Sequence, residues 1–552
     1  MYNFSTFFFE ARLYRTFLAF LFSVGIIKIF MDWYLLPHSI KDFPTSLIVV
    51  AGLIFTYLVW KSDKPLPLPH QKKFPDIWFS VIFSFSFITL LPFIFIFETF
   101  GTTSFGTSLF TVLENSAADL ISIGLKDFFI PTIEYLLLLV VIVTGGFIFI
   151  RHIPYFWCCI LALSISFIVT NPFTNYMYRN IIPNPNHALL NLEVDFKRPV
   201  IKKRPKQQKN ILYIYLESLE RTYRDIPATA DAFKQFAKYE DESLSFNQLH
   251  QSYGLNYTAA GMVGTQCGVP LVPNGLRNIR KQVRNVSENQ VLKFKGFMGG
   301  MYCLGDILSN DGYIGSYVNG SDTAVFSKGL LFNSHGWERT FGINNLPGSR
   351  EEKYENPWGL NDDTVFKYAE KELEYLASTN RPFMMSMLTI STHGPNAFLD
   401  KDCNYPNISD SNIPAAIYCS GQHVKSILKK LDELDIKDNT IVVLLSDHLA
   451  MKNTLKSDLK KAKSDGLRRQ YAAILGTENN TSISKVGTTM DLYPTVLEVL
   501  GYEIEGGHAN LGISLLNDKP TLAGRSLKPQ NISPMFKQNF KLRDLLWSSA
   551  NN

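Results

Sequence analysis

The chain has 552 residues, which is too long for one ordinary domain, so two or three domains are expected. Its formal net charge at pH 7 is only +5, and this argues against nucleic-acid binding, which needs a concentrated basic face. Hydrophobic residues make up 46% of the chain, and its 42 phenylalanines are densest in the first third. The composition therefore separates an apolar first part from a more polar remainder.

Five stretches in this first part are long and apolar enough to cross a bilayer, which takes about 20 residues. They lie near 16–34, 45–60, 77–97, 130–150 and 155–173. A buried helix of a soluble protein is the alternative for any one of them, but five in succession favour a transmembrane domain over 1–175. Basic residues precede the first span and occupy alternate loops, namely Arg12, Arg15, Lys61, Lys64, Lys72, Lys73 and Arg151. By the positive-inside rule the N-terminus is cytoplasmic, and an odd number of spans places the rest of the chain outside.

The external part is predicted to comprise a linker over 176–209, a catalytic domain over 210–525 and an appendage over 526–552. The run KRPVIKKRPKQQ (197–208) is basic and contains proline, which is typical of a linker. Contact of this run with anionic lipid headgroups is a second interpretation.

Six cysteines fit this arrangement. Cys158 and Cys159 fall within the fifth span, where packing is their expected role. The other four are external, where disulfides persist: Cys267, Cys303, Cys403 and Cys419. Four cysteines allow three pairings, and the two shortest loops favour Cys267–Cys303 and Cys403–Cys419. No close CxxC or CxH spacing supports a metal site at these residues.

From about residue 210 the pattern alternates between strands and helices. The runs ILYIYL (211–216), FMMSMLTIST (383–392) and TIVVLLS (440–446) are of the kind buried in a parallel sheet. RRQYAAILG (468–476) indicates a further strand, and 303–320 a helix, a turn and a strand. Helices are predicted near 415–434 and over 488–501, where Gly501 is a stop signal. The predicted fold is a mostly parallel α/β sandwich that follows an α-helical membrane domain.

Polar side chains gather where these strands end. Glu217 follows one strand, and Asp447 and His448 follow another, at the edge where α/β sheets bind ligands. Thr258, in NYTAAG, precedes small residues that suit a turn projecting its side chain into a cleft. In isolation Thr258 is better explained as a helix cap, and the Asp-His pair as a cap and a surface imidazole. Together, the four residues are predicted to surround one metal ion.

This combination has a chemical rationale. A threonine hydroxyl is a poor nucleophile at neutral pH, and coordination to a divalent cation lowers its pKa. The mixed oxygen and nitrogen ligands suit Mn²⁺, Mg²⁺ or Zn²⁺. His393 ends another strand at the same edge, and it is a candidate to hydrogen-bond a phosphate or to protonate a leaving group. Lys328 is a candidate to hold a phosphate oxygen, with Phe326 as a wall, although a solvated lysine is the default interpretation.

Five motifs carry a family resemblance: LESLERTY, NYTAAGMVGTQCGVPL, STHGP, SDHLAM and TTMDLYPTVLEVLG. Together they resemble the phosphoglycerol transferase and lipoteichoic acid synthase family, within the alkaline phosphatase and sulfatase superfamily. The resemblance covers about 210–515 and is greatest to the members that modify periplasmic glucans in Gram-negative bacteria. It implies a sulfatase-like external domain on a multi-pass inner-membrane protein.

The resemblance also implies a two-step reaction. Thr258 would attack the headgroup of phosphatidylglycerol, releasing diacylglycerol, and a periplasmic glycan hydroxyl would then displace the phosphoglycerol from Thr258. The residues at the positions of Glu217, Thr258, Asp447 and His448 bind a Mn²⁺-type ion in that family, and the one matching His393 contacts the phosphoglycerol. Lys328 and Phe326 stand where lipoteichoic acid synthases have arginine and tryptophan, so headgroup recognition is expected to differ in detail.

Three other functions stay open at this point. A phosphoethanolamine transferase that acts on lipid A or another envelope glycan would share the nucleophile and the metal. A hydrolase would use water in the second step. A membrane scaffold without turnover would have no need for four metal ligands, and their presence argues against it.

Overall fold

The computed structural model describes residues 191–272, 297–344, 346, 355–356, 358–407, 411–451, 453–478, 480–526, 536 and 540–548. They all belong to one of the two units into which the chain divides. The five predicted membrane spans, Cys158 and Cys159 lie outside the described residues, as do 176–190 of the predicted linker and most of the predicted appendage. Within the described ranges, no helix combines the length and the apolar character needed to cross a membrane.

The described strands, numbered along the chain, are β1 (Ile201–Lys203), β2 (Asn210–Leu216), β3 (Leu244–Phe246), β4 (Ile314–Asn319), β5 (Arg339–Phe341), β6 (Glu355–Asn356), β7 (Gly359–Leu360), β8 (Phe383–Leu388), β9 (Thr440–Ser446), β10 (Ala472–Leu475), β11 (Ser482–Ile483), β12 (Glu503–Ile504), β13 (His508–Ala509) and β14 (Gly512–Ile513).

The described helices are α1 (Leu192–Asp195), α2 (Pro227–Ala230), α3 (Lys234–Asp241), α4 (Thr258–Cys267), α5 (Leu304–Asn310), α6 (Lys328–Ser334), α7 (Asp362–Ser378), α8 (Ile413–Glu433), α9 (Lys456–Ser464), α10 (Leu492–Val499) and α11 (Phe540–Leu546). Short 3₁₀ turns cover Arg221–Arg224, Val325–Ser327, Lys437–Asn439, Thr489–Asp491 and Glu505–Gly507.

The main sheet has the strand order β11-β3-β10-β9-β2-β8-β4-β5. Strand β10 runs antiparallel to both of its neighbours, whereas every other adjacent pair is parallel. The RRQYAAILG strand is therefore the one that runs against the others of this sheet. The mostly parallel α/β fold predicted from the sequence is confirmed for this domain.

The central strand β2 shows why the sheet is covered on both faces. Its residues are all buried, as expected for a central parallel strand. Alternate side chains enter two separate hydrophobic clusters, Tyr213 and Tyr215 on one face and Leu212 and Ile214 on the other. Helices α4, α5 and α10 contribute to the first cluster, and α3, α7 and α8 to the second. The result is a three-layer domain with the sheet in the middle.

Two disulfides staple this domain, and both follow the shortest-loop pairing. One joins Cys267, the last residue of α4, to Cys303, which precedes α5. The other joins Cys403 to Cys419 in α8.

Candidate metal centre

The site lies where β2, β8 and β9 end. Strand β2 is paired in parallel with both β8 and β9. Its last residue, Leu216, lies opposite Ser446, so Glu217 and Asp447 emerge side by side. The topology thus explains how residues 230 positions apart meet, as expected at the carboxyl edge of a parallel sheet.

Glu217, Asp447 and His448 form a buried cluster. Nε2 of His448 lies 3.4 Å from Oε1 of Glu217 and 3.4 Å from Oδ2 of Asp447. One potential ligand atom from each residue lies within 4.8 Å of the others, and all three residues are at most 2% exposed. The three predicted ligands are therefore together in the fold.

The hydrogen bonds around this cluster leave atoms available for a cation. Nδ1 of His448 is 2.9 Å from the carbonyl oxygen of Leu449, which can only accept, so in the neutral ring Nδ1 carries the hydrogen and Nε2 has the lone pair that a cation would bind. Oδ1 of Asp447 accepts from the backbone N–H groups of Ser218 at 2.9 Å and His448 at 2.7 Å. Oδ2 of Asp447 is buried and accepts no hydrogen bond from the described residues. A buried acceptor without a donor is costly, and a bound cation would satisfy it.

The charges of the cluster also favour a bound cation. Burial, and then the charge of Glu217, raise the pKa of Asp447 to about 7. Burial lowers the pKa of His448, but the carboxylates of Asp447 and Glu217 raise it, and the net shift is upward. Two carboxylates packed this closely away from water favour a positive charge between them, and a divalent cation would supply it.

Thr258 is the first residue of α4 and reaches the same cluster. Its Oγ1 lies 3.3 Å from Oε2 of Glu217 and can donate to it. Thr258 is partly exposed, unlike the fully buried carboxylates and imidazole beside it. The small residue Gly261 lets α4 pack closely on the backbone of Asp447, because a Cβ at position 261 would lie 1.9 Å from the carbonyl oxygen of Asp447.

Lys328 and Phe326 lie near Tyr257, the residue before Thr258. Lys328 is 3% exposed, contrary to the solvated default, and its Nζ lies 5.9 Å from the centroid of the Phe326 ring. That ring is in turn 5.9 Å from the ring of Tyr257, the residue before Thr258. Burial lowers the pKa of Lys328 to about 8, an effect that the charges of Asp322, Glu217 and Asp447 oppose.

His393 lies in the loop after β8. Nδ1 of His393 is 2.7 Å from the carbonyl oxygen of Gly394, so Nε2 is left as an acceptor. Burial lowers the pKa of His393 to about 4, and the charge of His448 lowers it further. The ring packs against Trp358, with 4.2 Å between the ring centroids.

Several residues at the site were given no role from the sequence. Ser218 donates from its hydroxyl to Oε1 of Glu217 at 2.7 Å. Thr389 and Thr392 bind the backbone of Glu217. The sequence pattern places both inside a strand over 383–392, whereas β8 ends at Leu388 and the LTIST threonines lie in the loop that follows. Trp358 follows no strand run and carries no motif, so nothing in the local sequence marked it.

A second group of potential ligand atoms, on Cys267, Cys303 and His335, has a different explanation. Its two sulfur atoms are bonded to each other, so they offer no thiolate. Both nitrogens of His335 are engaged, one with Asp306 and the other with the carbonyl oxygen of Phe297.

Comparison with known proteins assigns this chain to a family. The Sulfatase family model matches residues 209–502, which is more than half of the chain. The chain belongs to the sulfatase family. The matched range contains Glu217, Thr258, Asp447 and His448. The resemblance carried by the five motifs is thus confirmed for the family.

Curated relatives that this chain resembles are named phosphoglycerol transferase I. The protein of that name from Escherichia fergusonii is 30% identical over 448 residues, which cover 79% of this chain and 55% of the relative. The one from Escherichia coli O127:H6 is 32% identical over 349 residues, covering 62% of this chain and 42% of the relative. The chain thus spans about half the length of the curated relatives it matches.

Similar solved structures are more distant. An alkaline phosphatase superfamily protein from Vibrio parahaemolyticus gives a TM-score of 0.45 at 18% identity, covering 62% of this chain and 76% of its own. The lipoteichoic acid synthase LtaP from Listeria monocytogenes gives 0.45 at 17% identity, covering 58% and 79%.

Proposed function

We propose that this chain is a metal-dependent phosphoglycerol transferase that moves phosphoglycerol from phosphatidylglycerol to a periplasmic glycan by way of Thr258. The observation that carries the proposal is the 3.3 Å approach of the Thr258 hydroxyl to Glu217, beside the buried Asp447 and His448. The relatives named phosphoglycerol transferase I support the choice of phosphoglycerol as the transferred group.

Glu217, Asp447, His448 and Thr258 would hold a divalent cation, with Mn²⁺ as the first choice and Mg²⁺ or Zn²⁺ as alternatives. The fit rests on Oδ2 of Asp447, which accepts no hydrogen bond from the described residues, and on Nε2 of His448, which faces both carboxylates. When bound, the ion would lower the pKa of the Thr258 hydroxyl and offset negative charge on the phosphate.

In the first step, Oγ1 of Thr258 forms a bond to phosphorus, the bond from phosphorus to the diacylglycerol oxygen breaks, and the hydroxyl proton leaves with diacylglycerol. In the second, a glycan hydroxyl forms a bond to phosphorus, the bond to Thr258 breaks, and the proton returns to the threonine oxygen. The cation of Lys328 would hold the phosphate in both steps, beside the Phe326 ring. Because Nε2 of His393 is an acceptor, we assign it to a hydroxyl of the glycerol or of the glycan.

The proposed reaction takes place at the periplasmic side of the inner membrane. The predicted membrane domain over 1–175 favours a donor taken from the bilayer, and the predicted orientation places the catalytic domain in the periplasm, anchored to the inner membrane. The two disulfides are typical of such an oxidising compartment.

The test is to incubate the purified full chain with Mn²⁺ and phosphatidylglycerol, and then to weigh the peptide that contains Thr258. We expect a glycerophosphate adduct together with released diacylglycerol, neither of them with Thr258→Ala. Thr258→Ser keeps a hydroxyl and is expected to retain part of the reaction. Added periplasmic glucan should then remove the adduct. A metal-loaded protein that gives neither adduct nor diacylglycerol would overturn the phosphatidylglycerol donor, and phosphatidylethanolamine would be tested next.

A further inference from the structure

The loop Thr389–His393 joins the metal centre to the candidate substrate contact. Oγ1 of Thr389 accepts from the backbone N–H of Glu217 at 2.9 Å, and the hydroxyl of Thr392 donates to the carbonyl oxygen of Glu217. His393 is the next residue. A displacement of this loop would therefore disturb a metal ligand and His393 together.

A buried carboxylate from a different part of the chain holds this loop. Asp362 begins α7 and is fully buried. Its Oδ1 accepts from the N–H of Ile390 at 2.7 Å, and its Oδ2 accepts from the N–H of Ser391 at 3.2 Å. The two oxygens of this carboxylate thus bind two successive backbone amides of the loop. These bonds fix the position of the loop relative to the end of β8.

A second carboxylate supports the first. Asp400 accepts from the hydroxyl of Ser391 at 3.3 Å with one oxygen, and its other oxygen lies 2.7 Å from Nε2 of His423. The His423 ring stacks on Phe366 of α7, with 5.0 Å between centroids. The charged groups that face His423 are Asp400, Asp362 and Asp363. One imidazole from α8 therefore lies beside Asp362 and Asp400, the two carboxylates that bind the loop.

We propose that Asp362, supported by the Asp400–His423 pair, is a positioning residue that fixes Glu217 and His393 through the loop Thr389–His393. The free-energy cost of burying the Asp362 carboxylate supports a role beyond packing. Burying a carboxylate is unfavourable, and burial followed by the charge of Asp400 raises the pKa of Asp362 to about 7. An asparagine at this position would carry no charge but could satisfy only one of the two amides. The proposal rests on the metal centre proposed above.

The experiment compares Asp362→Asn with Asp363→Asn in the full chain. Asp363 is the adjacent residue, and within the described ranges its carboxylate accepts hydrogen bonds from Thr364 and none from the loop Thr389–His393, so it is a matched control. For Asp362→Asn we expect the dissociation constant for Mn²⁺ to rise at least fivefold and the rate of adduct formation on Thr258 to fall at least tenfold. For Asp363→Asn we expect the values of the unmodified protein.

The Mn²⁺ titration needs no lipid donor, so it tests the positioning role even if phosphatidylglycerol proves to be the wrong substrate. Asp362→Asn that folds and binds Mn²⁺ with unchanged affinity would overturn the proposal, whatever its melting temperature. If Asp362→Asn does not fold, Ser391→Ala removes only the hydroxyl between the loop and Asp400. A twofold to threefold weaker Mn²⁺ affinity in Ser391→Ala is then expected, and unchanged affinity would reject the proposal.

Discussion

Gly261 packs so closely on Asp447 that a Cβ at position 261 would lie 1.9 Å from the carbonyl oxygen of residue 447. That oxygen belongs to the backbone and cannot turn aside, so a larger residue must push α4 away from the end of β9. Because Thr258 is the first residue of α4, the same shift would carry the hydroxyl away from Glu217.

Gly261→Ala is therefore expected to lower the free energy of unfolding by about 3 kcal/mol and to abolish adduct formation on Thr258. Gly264→Ala on the same helix is the control, because its Cβ would meet the tip of Leu255 at 2.6 Å and Oγ1 of Thr489 at 3.0 Å. Those side chains can rotate, so a cost of about 1 kcal/mol with retained activity is expected. Urea unfolding and the adduct assay measure both, and equal losses in the two variants would contradict this account.

Asp447→Asn is expected to separate metal binding from stability. Without metal, burial and Glu217 raise the pKa of Asp447 to about 7, so removing its charge relieves repulsion and should raise the melting temperature of the metal-free protein. Mn²⁺ at 100 times its dissociation constant should stabilise the unmodified protein by about 2.7 kcal/mol. In Asp447→Asn that stabilisation should disappear. Melting temperatures of both proteins, measured over a Mn²⁺ titration and again with a chelator, test these two expectations.

Ser218 combines a hydrogen bond with an unfavourable backbone conformation. Its hydroxyl donates to Glu217, and its φ is +53°, a region that favours glycine. Ser218→Gly and Ser218→Ala both remove the hydroxyl and should weaken Mn²⁺ binding to a similar degree. Alanine at this position must adopt the left-handed conformation, which is unfavourable for a residue with a Cβ. Ser218→Ala should therefore be less stable than Ser218→Gly by about 1 kcal/mol. The reverse order of stability would show that the backbone contributes nothing.

The lowered pKa of Lys328 leads us to expect that the rate of adduct formation falls as the pH rises. Its pKa is lowered to about 8, so the cation is present below pH 8 and is lost as the pH rises through that value. If the cation holds the donor phosphate, kcat/KM for adduct formation should fall above pH 8. Lys328→Arg keeps its charge throughout and should remove that decline, whereas Lys328→Gln should be slow on both sides of pH 8. A decline that persists unchanged in Lys328→Arg would assign it to another group.

The disulfides should each contribute measurably to stability. The Cys403–Cys419 bridge spans 16 residues and the Cys267–Cys303 bridge spans 36. Loop-closure entropy gives about 3 kcal/mol for the shorter loop and about 4 kcal/mol for the longer. Replacing each pair by serines, with urea unfolding as the measurement, tests these values. Because Cys267 ends the helix that Thr258 begins, only the loss of the Cys267–Cys303 bridge should also slow adduct formation.

The sequence by itself determined the strands and the polar residues that stand at their ends. ILYIYL and TIVVLLS are apolar along their whole length, which only a strand covered on both faces can satisfy, and Glu217 and Asp447 stand directly at their ends. Local pattern sufficed here because adjacent parallel strands bring their carboxyl ends to one edge. The four proposed metal ligands could therefore be named in advance.

Only the tertiary structure showed what holds those ligands in place. Thr389 and Thr392 meet Glu217 across more than 170 residues, Asp362 reaches the loop from 28 residues away, and Trp358 packs on His393 from a separate segment. The burial of Lys328, which lowers its pKa, also depends on its neighbours in space. Such contacts have no periodicity along the chain, because they are set by how the loops pack after the sheet has formed.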